Sequence, residues 1–439
     1  MFQSLKGMRD LQPPDTDRWR LLVQTYAEHA HRAGYGEVVP PMLEDLGVFL
    51  RIGDSTDVVT KEMYDFTDKD GSRIALRPEF TASLCRMFVQ RRPQILPWKV
   101  WAWGAAFRHE KPQAGRYRQF MQLDAECIGS NDPDIDVEMI SFAYDFFQGL
   151  GLRRFTVKLN SLGDRTTRPA YLDALRSYLD SCAADLTAES RATLAVNPIR
   201  VLDSKREPDQ QVIAGAPQLA TFLDGTEAGA HFARVQAGLR SIDVPFLLEP
   251  RLVRGLDYYT HTLFEFASDA LESAQNAIGG GGHYNDLVEQ LGGPSTPGIG
   301  FALGIDRLLM ACDAEGVFHA PAMSTDVFVV DSTGGSEATL LVAELRRAGI
   351  AAERSFDARS MKSQMKSADR SGASMAVIVG SDEVADGIVT LKPLRTPFVK
   401  EQEQHTIVGL LPQTRVARSQ VVHAVRERLR PTQSSAGLD

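Results

Sequence analysis

Polar side chains of two opposite kinds lie close together between Trp98 and Gly129. Arg108 and Arg116 flank a charged loop, and guanidinium groups bind phosphate oxygens in a fork-like geometry. The next predicted strand carries a polar series on one face, because alternate residues of a strand share a face. The members of this series are Gln122, Asp124 and Glu126. Carboxylates bind amines and arginines bind phosphates, so the stretch predicts a site for a zwitterionic or phosphate-bearing ligand.

Two strands and a loop must position these side chains. The segment Val100–Phe107 is apolar on alternating positions, which predicts a strand buried on both faces. Pro112 and Gly115 then mark a turn, and Phe120–Ile128 returns as the second strand. A solvent-facing hairpin with a salt-bridged tip would have the same pattern. The stretch alone therefore leaves both interpretations open.

A resemblance to a known family extends this interpretation. The sequence FRHEKPQAGRYRQF, followed by QLDAE, resembles the second signature motif of class II aminoacyl-tRNA synthetases in its histidyl-tRNA synthetase form. The resemblance implies that Arg108, Glu110 and Arg116 bind ATP. It further implies that Arg108, Gln122 and Glu126 contact histidine.

Two more segments resemble parts of the same amino acid site. Arg254-Gly255-Leu256-Asp257-Tyr258-Tyr259 resembles the histidine-specific signature RGLDYY. This resemblance implies that Arg254 acts with Arg108 on the α-phosphate and substrate carboxylate, and that Tyr258 and Tyr259 contact the imidazole with Glu126. The segment Arg77–Thr81 resembles the one that supplies Glu79 and Thr81 to the substrate's amino group. A helix-capping role for Thr81 is the alternative.

The segment Gly298–Met310, a predicted glycine-rich strand that leads into a helix, resembles the third class motif. Arg307 lies near the start of that helix and is expected to meet the γ-phosphate. The glycine run Gly279–Gly282 precedes His283-Tyr284-Asn285, where most bacterial relatives have Arg-Tyr-Asp. Tyr284 matches the histidine-binding pattern, whereas the departure at its two neighbours leaves their roles open.

A predicted amphipathic helix and a short strand near the N-terminus resemble the first class motif. Asp17–Arg32 has helical spacing of apolar residues, and Glu37–Val39 leads into Pro40-Pro41. In the class this unit forms part of a dimer interface, so the resemblance implies a homodimer. A helix packed on its own domain is the alternative from the residues alone.

Length and composition bound the possibilities further. A chain of 439 residues is expected to form two or three domains. It has no run of about eighteen apolar residues, which predicts no membrane span, and no apolar signal core at its start. Four scattered cysteines indicate neither a zinc site nor disulfides and fit a reducing cytoplasm. A net charge of −9 disfavours indiscriminate nucleic-acid binding but permits a tRNA partner through a local basic surface.

The resemblance covers nearly the whole chain and implies its domain organisation. Residues 1–162 and 245–318 are expected to form an α+β catalytic core whose antiparallel sheet is flanked by helices. Residues 163–244 read as a helical insertion, which in the family is thought to embrace the acceptor arm of tRNA. Residues 325–430 alternate strands and helices, which predicts a small, largely parallel α/β sheet similar to an anticodon-binding domain. The tail 431–439 is expected to be disordered.

The implied reaction has two steps, namely activation of L-histidine by ATP with Mg²⁺ and transfer of the histidyl group to the 3′ end of tRNA(His). No protein ligand of the metal is evident from the sequence. A regulatory, non-aminoacylating subunit of ATP phosphoribosyltransferase is the alternative function. Such chains lack the anticodon-binding domain and parts of the arginine set, whereas Arg108, Arg116, Arg254 and Arg307 are all present here.

Overall fold

The computed structural model describes residues 2–51, 58–272, 276–321, 325–357, 359–395 and 412–429. The chain divides into two compact units, Met1–Ala320 and Pro321–Asp439. Among these described residues, no helix is both long and apolar enough to cross a lipid bilayer. The predicted tail 431–439 lies outside the described residues.

The strands of the first unit are β1 (Gly36–Glu37), β2 (Leu43–Asp45), β3 (Tyr64–Thr67), β4 (Arg73–Leu76), β5 (Trp98–Phe107), β6 (Gln119–Ile128), β7 (Phe155–Ser161), β8 (Leu247–Leu248), β9 (Thr260–Ser268), β10 (Ala277–His283) and β11 (Gly298–Gly304). Eight of them form one sheet in the order β1-β5-β6-β11-β10-β9-β7-β8. Its six central strands are antiparallel, and β1 and β8 add to the edges in parallel. Strands β2, β4 and β3 form a separate small sheet.

The helices of this unit are α1 (Asp15–Arg32), α2 (Leu46–Leu50), a π-helical turn (Val58–Glu62), α3 (Thr81–Arg91), α4 (Pro133–Gly149), α5 (Arg168–Ser181), α6 (Ala188–Val196), a 3-10 helix (Pro198–Asp203), α7 (Glu207–Ala214), α8 (Ala220–Leu223), α9 (Glu227–Ser241), α10 (Leu287–Gln290) and α11 (Ile305–Glu315). Helices α1 and α4 pack on the sheet through aromatic rings. The ring of Tyr26 lies 5.0 Å from that of Phe146 and 5.5 Å from that of Trp101. Burying an aromatic side chain of this size contributes about 1.5–3 kcal/mol, so these contacts hold the sheet rigid beneath the site.

The central hairpin that carries the polar series is confirmed, with one difference. Strand β5 is exposed at Trp103, whose relative accessibility is 40%, so it is not buried on both faces throughout. Strand β6 lies between β5 and β11, and its Glu126 is opposite Gly300. A Cβ atom at Gly300 would lie only 1.7 Å from Glu126 Oε2. Glycine in β11 therefore makes room for the carboxylate.

The segment predicted as a helical insertion is helical from α5 to α9 and has a core of its own, which includes Leu175, Leu179 and Val201. The second half of α9 departs from this arrangement. Its Val235 and Leu239 belong to the main core beside α4. Because α9 contributes to both cores, the two bodies share a helix, and the boundaries at 163 and 244 stay a prediction.

The second unit contains β12 (Val327–Asp331), α12 (Ser336–Arg347), β13 (Ala352–Arg354), α13 (Met361–Arg370), β14 (Met375–Val379), α14 (Ser381–Asp386), β15 (Ile388–Pro393), β16 (Thr414–Ala417), a 3-10 helix (Arg418–Gln420) and α15 (Val421–Leu429). Its sheet has the order β13-β12-β14-β15-β16. The expectation of a largely parallel sheet is wrong, because β14–β15 and β15–β16 pair antiparallel. The connection from β14 to β15 is too short for a parallel crossover, which needs a dozen or more residues.

The sequence pattern predicts a last helix over Val416–Leu429, and the observed helix begins later. Val416 lies in β16, and α15 begins at Val421. Gln364 of α13 accepts a hydrogen bond from the Asp331 amide and donates one to the Asp331 carbonyl. This buried amide side chain therefore fixes the end of β12 against α13.

Candidate active site

One cavity in the first unit collects most of the residues that the sequence predicts for a site. Strands β6, β10 and β11 line it, together with the loop after β5 and the loop before β9. The predicted residues that line it are Glu79, Thr81, Arg108, Glu110, Arg116, Gln122, Arg254, Tyr258, Tyr259 and Arg307. They lie far apart in the sequence, so the antiparallel sheet brings them together.

Three arginines of this cavity are held mainly by backbone oxygens or by one carboxylate. Arg307 donates from Nε to the Gly115 carbonyl and from Nη1 to the Ala277 carbonyl, both at 3.1 Å. Arg108 donates from Nε to the Pro78 carbonyl at 2.9 Å. Arg116 Nε lies 2.9 Å from Glu110 Oε2. Carbonyl partners orient a guanidinium without cancelling its charge, so this side of the cavity is positive.

The pKa of Arg307 is affected by the other arginines of the cavity. Burial lowers the pKa of its guanidinium, and the neighbouring positive charges of Arg116, Arg108 and Arg254 lower it further, against an opposing effect of Glu110. Four cationic side chains therefore act on one another within a single cavity. A bound polyanion would relieve their mutual repulsion.

Arg254 enters the cavity from the loop before β9. Its Nη1 lies 3.0 Å from Glu265 Oε2 on β9, and its guanidinium lies over Gly280, where a Cβ atom would be 2.9 Å from Cζ. Tyr258 and Tyr259 follow on the same loop with ring centroids 4.6 Å apart. Both rings are buried, and burial is the main cause that raises the pKa of Tyr259 to about 12. The two phenols are therefore neutral hydrogen-bonding groups at neutral pH.

The opposite side of the cavity is built around the start of α3. The carboxylate of Glu79 accepts hydrogen bonds from the amides of Thr81 and Ala82 at 2.7 and 2.9 Å. Thr81 itself makes no capping bond, so the alternative of a capping threonine is wrong and Glu79 takes that part. Burial raises the pKa of Glu79, while the two amide bonds and Arg108 oppose the shift.

Gln122 presents an unsatisfied acceptor to the cavity. Its side chain is 8% exposed, and Oε1 is buried without a hydrogen-bond partner in the described part of the chain. Leaving such a group unpaired costs about 1–3 kcal/mol. A donor on a ligand, such as an ammonium group, would satisfy it.

Glu126 and Tyr284, both predicted to contact histidine, are not among the residues that line the cavity. Glu126 is fully buried, accepts a 2.6 Å hydrogen bond from Thr81 Oγ1 and accepts a second from the Tyr284 hydroxyl. The two residues lie behind Thr81, which does line the cavity. Their hydrogen bonds therefore fix the orientation of the Thr81 hydroxyl.

The buried carboxylates of β6 carry less negative charge than the sequence indicates. Burial, followed by repulsion from Glu126 and Glu79, raises the pKa of Asp124 well above its ordinary value. Burial also raises the pKa of Glu126 to about 8, although Thr81 and Tyr284 oppose the shift through their hydrogen bonds. Two like charges this close in a low dielectric environment do not both ionise at neutral pH. Of the polar series only Gln122 faces the cavity.

The structure adds three site residues that the sequence did not single out. Tyr117 and Asp306 line the cavity. Arg9 of the N-terminal segment forms an ion pair with Asp306 and lies 4.2 Å from the ring centroid of Tyr117. The neighbouring Gly7 carbonyl accepts a 2.7 Å hydrogen bond from the Arg118 amide. The sequence offered one indication of Arg9, which is the run Lys6-Gly7-Met8-Arg9-Asp10. This run combines charged residues with a glycine ahead of the first helix.

The departure at His283 is explained by a buried histidine cluster. His283 Nε2 lies 2.8 Å from Asp136 Oδ2, and His231 Nε2 lies 3.3 Å from Asp136 Oδ1. Asn285 Oδ1 lies 3.2 Å from His283 Nδ1. Asp136, His231 and His283 each offer one possible metal-ligand atom, and these three atoms lie within 4.8 Å of one another. The contacts of the two imidazoles with the Asp136 carboxylate account for this arrangement. The cluster joins α4, α9 and β10 away from the cavity.

Comparisons with known proteins identify the relatives of this chain. The family profile "Histidyl-tRNA synthetase" matches residues 7–308, and "Anticodon binding domain" matches residues 326–428. The histidine–tRNA ligase of Geobacillus sp. (strain WCH70) is 41% identical over 93% of this chain and 98% of its own length. That of Rhodococcus erythropolis (strain PR4) is 43% identical over 90% of this chain and 94% of its own length. The apo histidyl-tRNA synthetase of S. aureus has 31% identity and a TM-score of 0.80, and the match covers 97% of this chain and 100% of that one.

The large antiparallel sheet, its positively charged cavity and the separate C-terminal domain define a class II aminoacyl-tRNA synthetase, which confirms the predicted fold class. Matches to histidine enzymes extend over nearly the whole chain. The chain belongs to the histidyl-tRNA synthetase family, and it is an enzyme that joins histidine to tRNA at the expense of ATP. The regulatory alternative loses its basis, since the anticodon-binding domain and the four arginines are present.

His261 lies beside the histidine cluster, with its ring centroid 5.2 Å from that of His231. It predicts that the free energy of unfolding depends on pH. Burial, and then the positive charges of His283 and His231, lower its pKa to about 4, against opposing effects of Asp164 and Asp136. Between about pH 6.5 and pH 4 the unfolded chain therefore binds a proton that folded His261 does not bind, which weakens folding as pH falls, by at most about 1.4 kcal/mol per pH unit. His261→Asn removes this proton and tolerates the positive φ of 44°. We expect the variant to gain stability relative to the parent as pH falls from 6.5 to 4.5.

Chemical denaturation at several pH values measures this difference. Gln218→Asn at an exposed position exchanges one side-chain amide for another and adds or removes no titrating group, so it is the control and should show a constant difference from the parent. A difference for His261→Asn that does not change with pH would contradict the assignment.

Proposed function

We propose that the cavity binds histidine and ATP end to end and aligns them for adenylate formation. The carboxylate of histidine attacks the α-phosphorus, an oxygen–phosphorus bond forms, and the bond to the β-phosphate oxygen breaks to release pyrophosphate. A terminal ribose hydroxyl of tRNA(His) then attacks the histidyl carbonyl and releases AMP. The observation that carries this proposal is the meeting of four arginines and the Glu79–Thr81–Gln122 group around one cavity.

In this proposal different arginines bind different phosphates of ATP. Arg108 and Arg254 stabilise the charge that develops on the α-phosphate, and Arg254 also binds the histidine carboxylate. Arg116 and Arg307 hold the outer phosphates. No nucleophilic side chain or general base is needed, because phosphoryl chemistry of this kind depends on alignment and charge stabilisation.

The amino acid end of the cavity binds both the ammonium group and the imidazole of histidine. Gln122 Oε1, which has no hydrogen-bond partner among the described residues, accepts from the ammonium group, as do Glu79 and Thr81 Oγ1. A carboxylate has four lone-pair positions, so Glu79 can bind the ammonium while it caps α3. Tyr258 and Tyr259 contact the imidazole with neutral hydroxyls, whereas Glu126 and Tyr284 act from behind by fixing Thr81.

The donor groups on the phosphate side also fit Mg²⁺. This ion is commonly bound by one or two carboxylates together with substrate phosphates. Of the cavity carboxylates, Glu79 is engaged with helix amides and Asp306 with Arg9, which leaves Glu110 beside Arg116. Glu110 would hold the ion, which when bound would share the phosphate charge.

Replacing Arg254 tests the proposed division of roles. Arg254→Ala should lower the rate of histidine-dependent ATP–pyrophosphate exchange by about 100-fold or more, because it removes a charge needed most in the transition state. Histidine binding, measured by calorimetry, should weaken but persist, because the contacts to the ammonium group and the imidazole remain when the carboxylate contact is lost. Arg251→Ala is the matched control, since Arg251 is exposed on the same loop and contacts the Ala214 carbonyl rather than the cavity. Exchange that is unchanged in Arg254→Ala would remove Arg254 from the mechanism.

We further propose a homodimer and a cytoplasmic location. Large apolar side chains are exposed beside the predicted first motif, with relative accessibilities of 80% for Val39 and 53% for Met42, and Ile95 is 81% exposed shortly before β5. A surface of this kind favours a protein partner, and a second copy of the chain fits the class resemblance. The four cysteines are free thiols in the structure, which supports a reducing compartment.

An acidic residue in this surface tests the homodimer. Val39→Glu should shift the mass measured by light scattering from two chains toward one, because a carboxylate would be desolvated at the interface. Leu340→Glu makes the same kind of exchange at an exposed position of the second unit and should leave the mass unchanged. A parent chain that has the mass of a single chain would contradict the proposal.

A further inference from the structure

The loop Val253–Tyr259 supplies three side chains to the cavity but has few backbone contacts of its own. Within the described part of the chain, the amides of Val253–Leu256 donate to no backbone carbonyl. Arg254, Tyr258 and Tyr259 must nevertheless hold fixed positions to act on a bound ligand. Contacts from outside the loop must therefore fix it.

The strongest of these contacts come from the helical insertion. Arg200 on the 3-10 helix Pro198–Asp203 donates from Nε to Asp257 Oδ1 at 2.9 Å and from Nη2 to the Gly255 carbonyl at 2.7 Å. The adjacent Asn197 donates from Nδ2 to the same Asp257 oxygen at 3.2 Å. One guanidinium thus bridges a side chain and a backbone oxygen two residues apart, on the segment that follows Arg254.

The 3-10 helix is itself anchored firmly enough to act as a support. Its Ile199, Val201 and Leu202 are buried in the core of the insertion, and Val253 of the loop packs against that same core. The side chains of Arg200 and Asp257 are only 17% and 20% exposed, so solvent competes weakly for their contact. The insertion therefore meets the loop through an apolar contact as well as through hydrogen bonds.

A second arginine of the insertion holds the far end of the loop. Arg168, the first residue of α5, donates from Nη1 to the Tyr259 carbonyl at 2.9 Å. The loop is thus held on both sides of Tyr258 by side chains of the insertion. None of these contacts involves a group that lines the cavity on the phosphate side.

We propose that Arg200 is a positioning residue for adenylate formation. Its guanidinium fixes Asp257 and the Gly255 carbonyl, and so holds Arg254, Tyr258 and Tyr259 in the geometry that the first reaction step needs. The inference rests on the proposed role of Arg254. It assigns to the insertion a part in a step that involves no tRNA, which is separate from any contact of the insertion with the acceptor arm.

Histidine-dependent ATP–pyrophosphate exchange tests this assignment, because the assay contains no tRNA. Arg200→Ala and Asp257→Asn should each lower kcat for exchange about tenfold or more, with a smaller change in KM for ATP. Arg200→Lys should recover only part of the loss, since an ammonium group cannot bridge both oxygens in the same planar geometry. The double variant should be hardly slower than Arg200→Ala, because the Asp257 change acts through a contact that Arg200→Ala already removes.

Arg206→Ala is the matched control, because Arg206 lies on the insertion close to Arg200 but contacts Ser204 and Asp209 rather than the loop. It should leave exchange within about twofold of the parent. Thermal unfolding of each variant separates a loss of folding from a loss of positioning. Asp257→Asn preserves the shape of the side chain and serves if Arg200→Ala does not fold.

Two results would overturn the proposal while leaving the function intact. One is normal exchange in Arg200→Ala with only tRNA aminoacylation impaired, which would place Arg200 in tRNA binding. The other is a double variant whose losses multiply, which would show that Arg200 and Asp257 act independently. A parent chain without histidine-dependent exchange would instead overturn the proposed function and this inference together.

Discussion

Mutual repulsion among four arginines is the constraint on which the site depends. Two unit charges 4 Å apart interact with about 4 kcal/mol at an effective dielectric constant of 20, so such a cluster is costly without a partner. The chain offsets the cost by giving Arg307 two carbonyl oxygens and Arg116 one carboxylate, without neutralising the whole group. The remaining positive charge is what a polyphosphate would bind. The Gly115 carbonyl holds Arg307 through a hydrogen bond, and Arg9 of the N-terminal segment pairs with the adjacent Asp306.

On the amino acid side of the cavity the like charges that lie close together are negative. It contains buried carboxylates that would repel one another if all were ionised, and burial raises the pKa of both Asp124 and Glu126. Hydroxyl donors from α3 and from the end of β10 meet at Glu126, which leaves the Thr81 oxygen directed by a buried hydrogen bond. The cavity thus places hydrogen-bonding groups of low net charge opposite a group of cations. This asymmetry would orient a zwitterion so that its carboxylate faces the arginines.

The sequence predicted those parts of the fold and site in which local pattern and chemistry coincide. The β5–β6 hairpin follows from alternating apolar residues and from the turn that Pro112 and Gly115 mark between the two strands. Whether a side chain lines a cavity or lies behind its wall depends on tertiary packing, so the sequence could not show that Glu126 and Tyr284 lie behind Thr81. The antiparallel strands of the second unit depend on the length of a connection rather than on composition. Arg200 and Asp257 lie 57 residues apart, and no spacing in the sequence joins them.

ATP–pyrophosphate exchange, measured with each standard amino acid separately and with no tRNA present, tests the central claim most directly. The account predicts that L-histidine alone supports exchange, since the cavity combines an arginine cluster for the triphosphate with groups that fit the ammonium and imidazole of histidine. Exchange driven by a different amino acid, or by none, would contradict it.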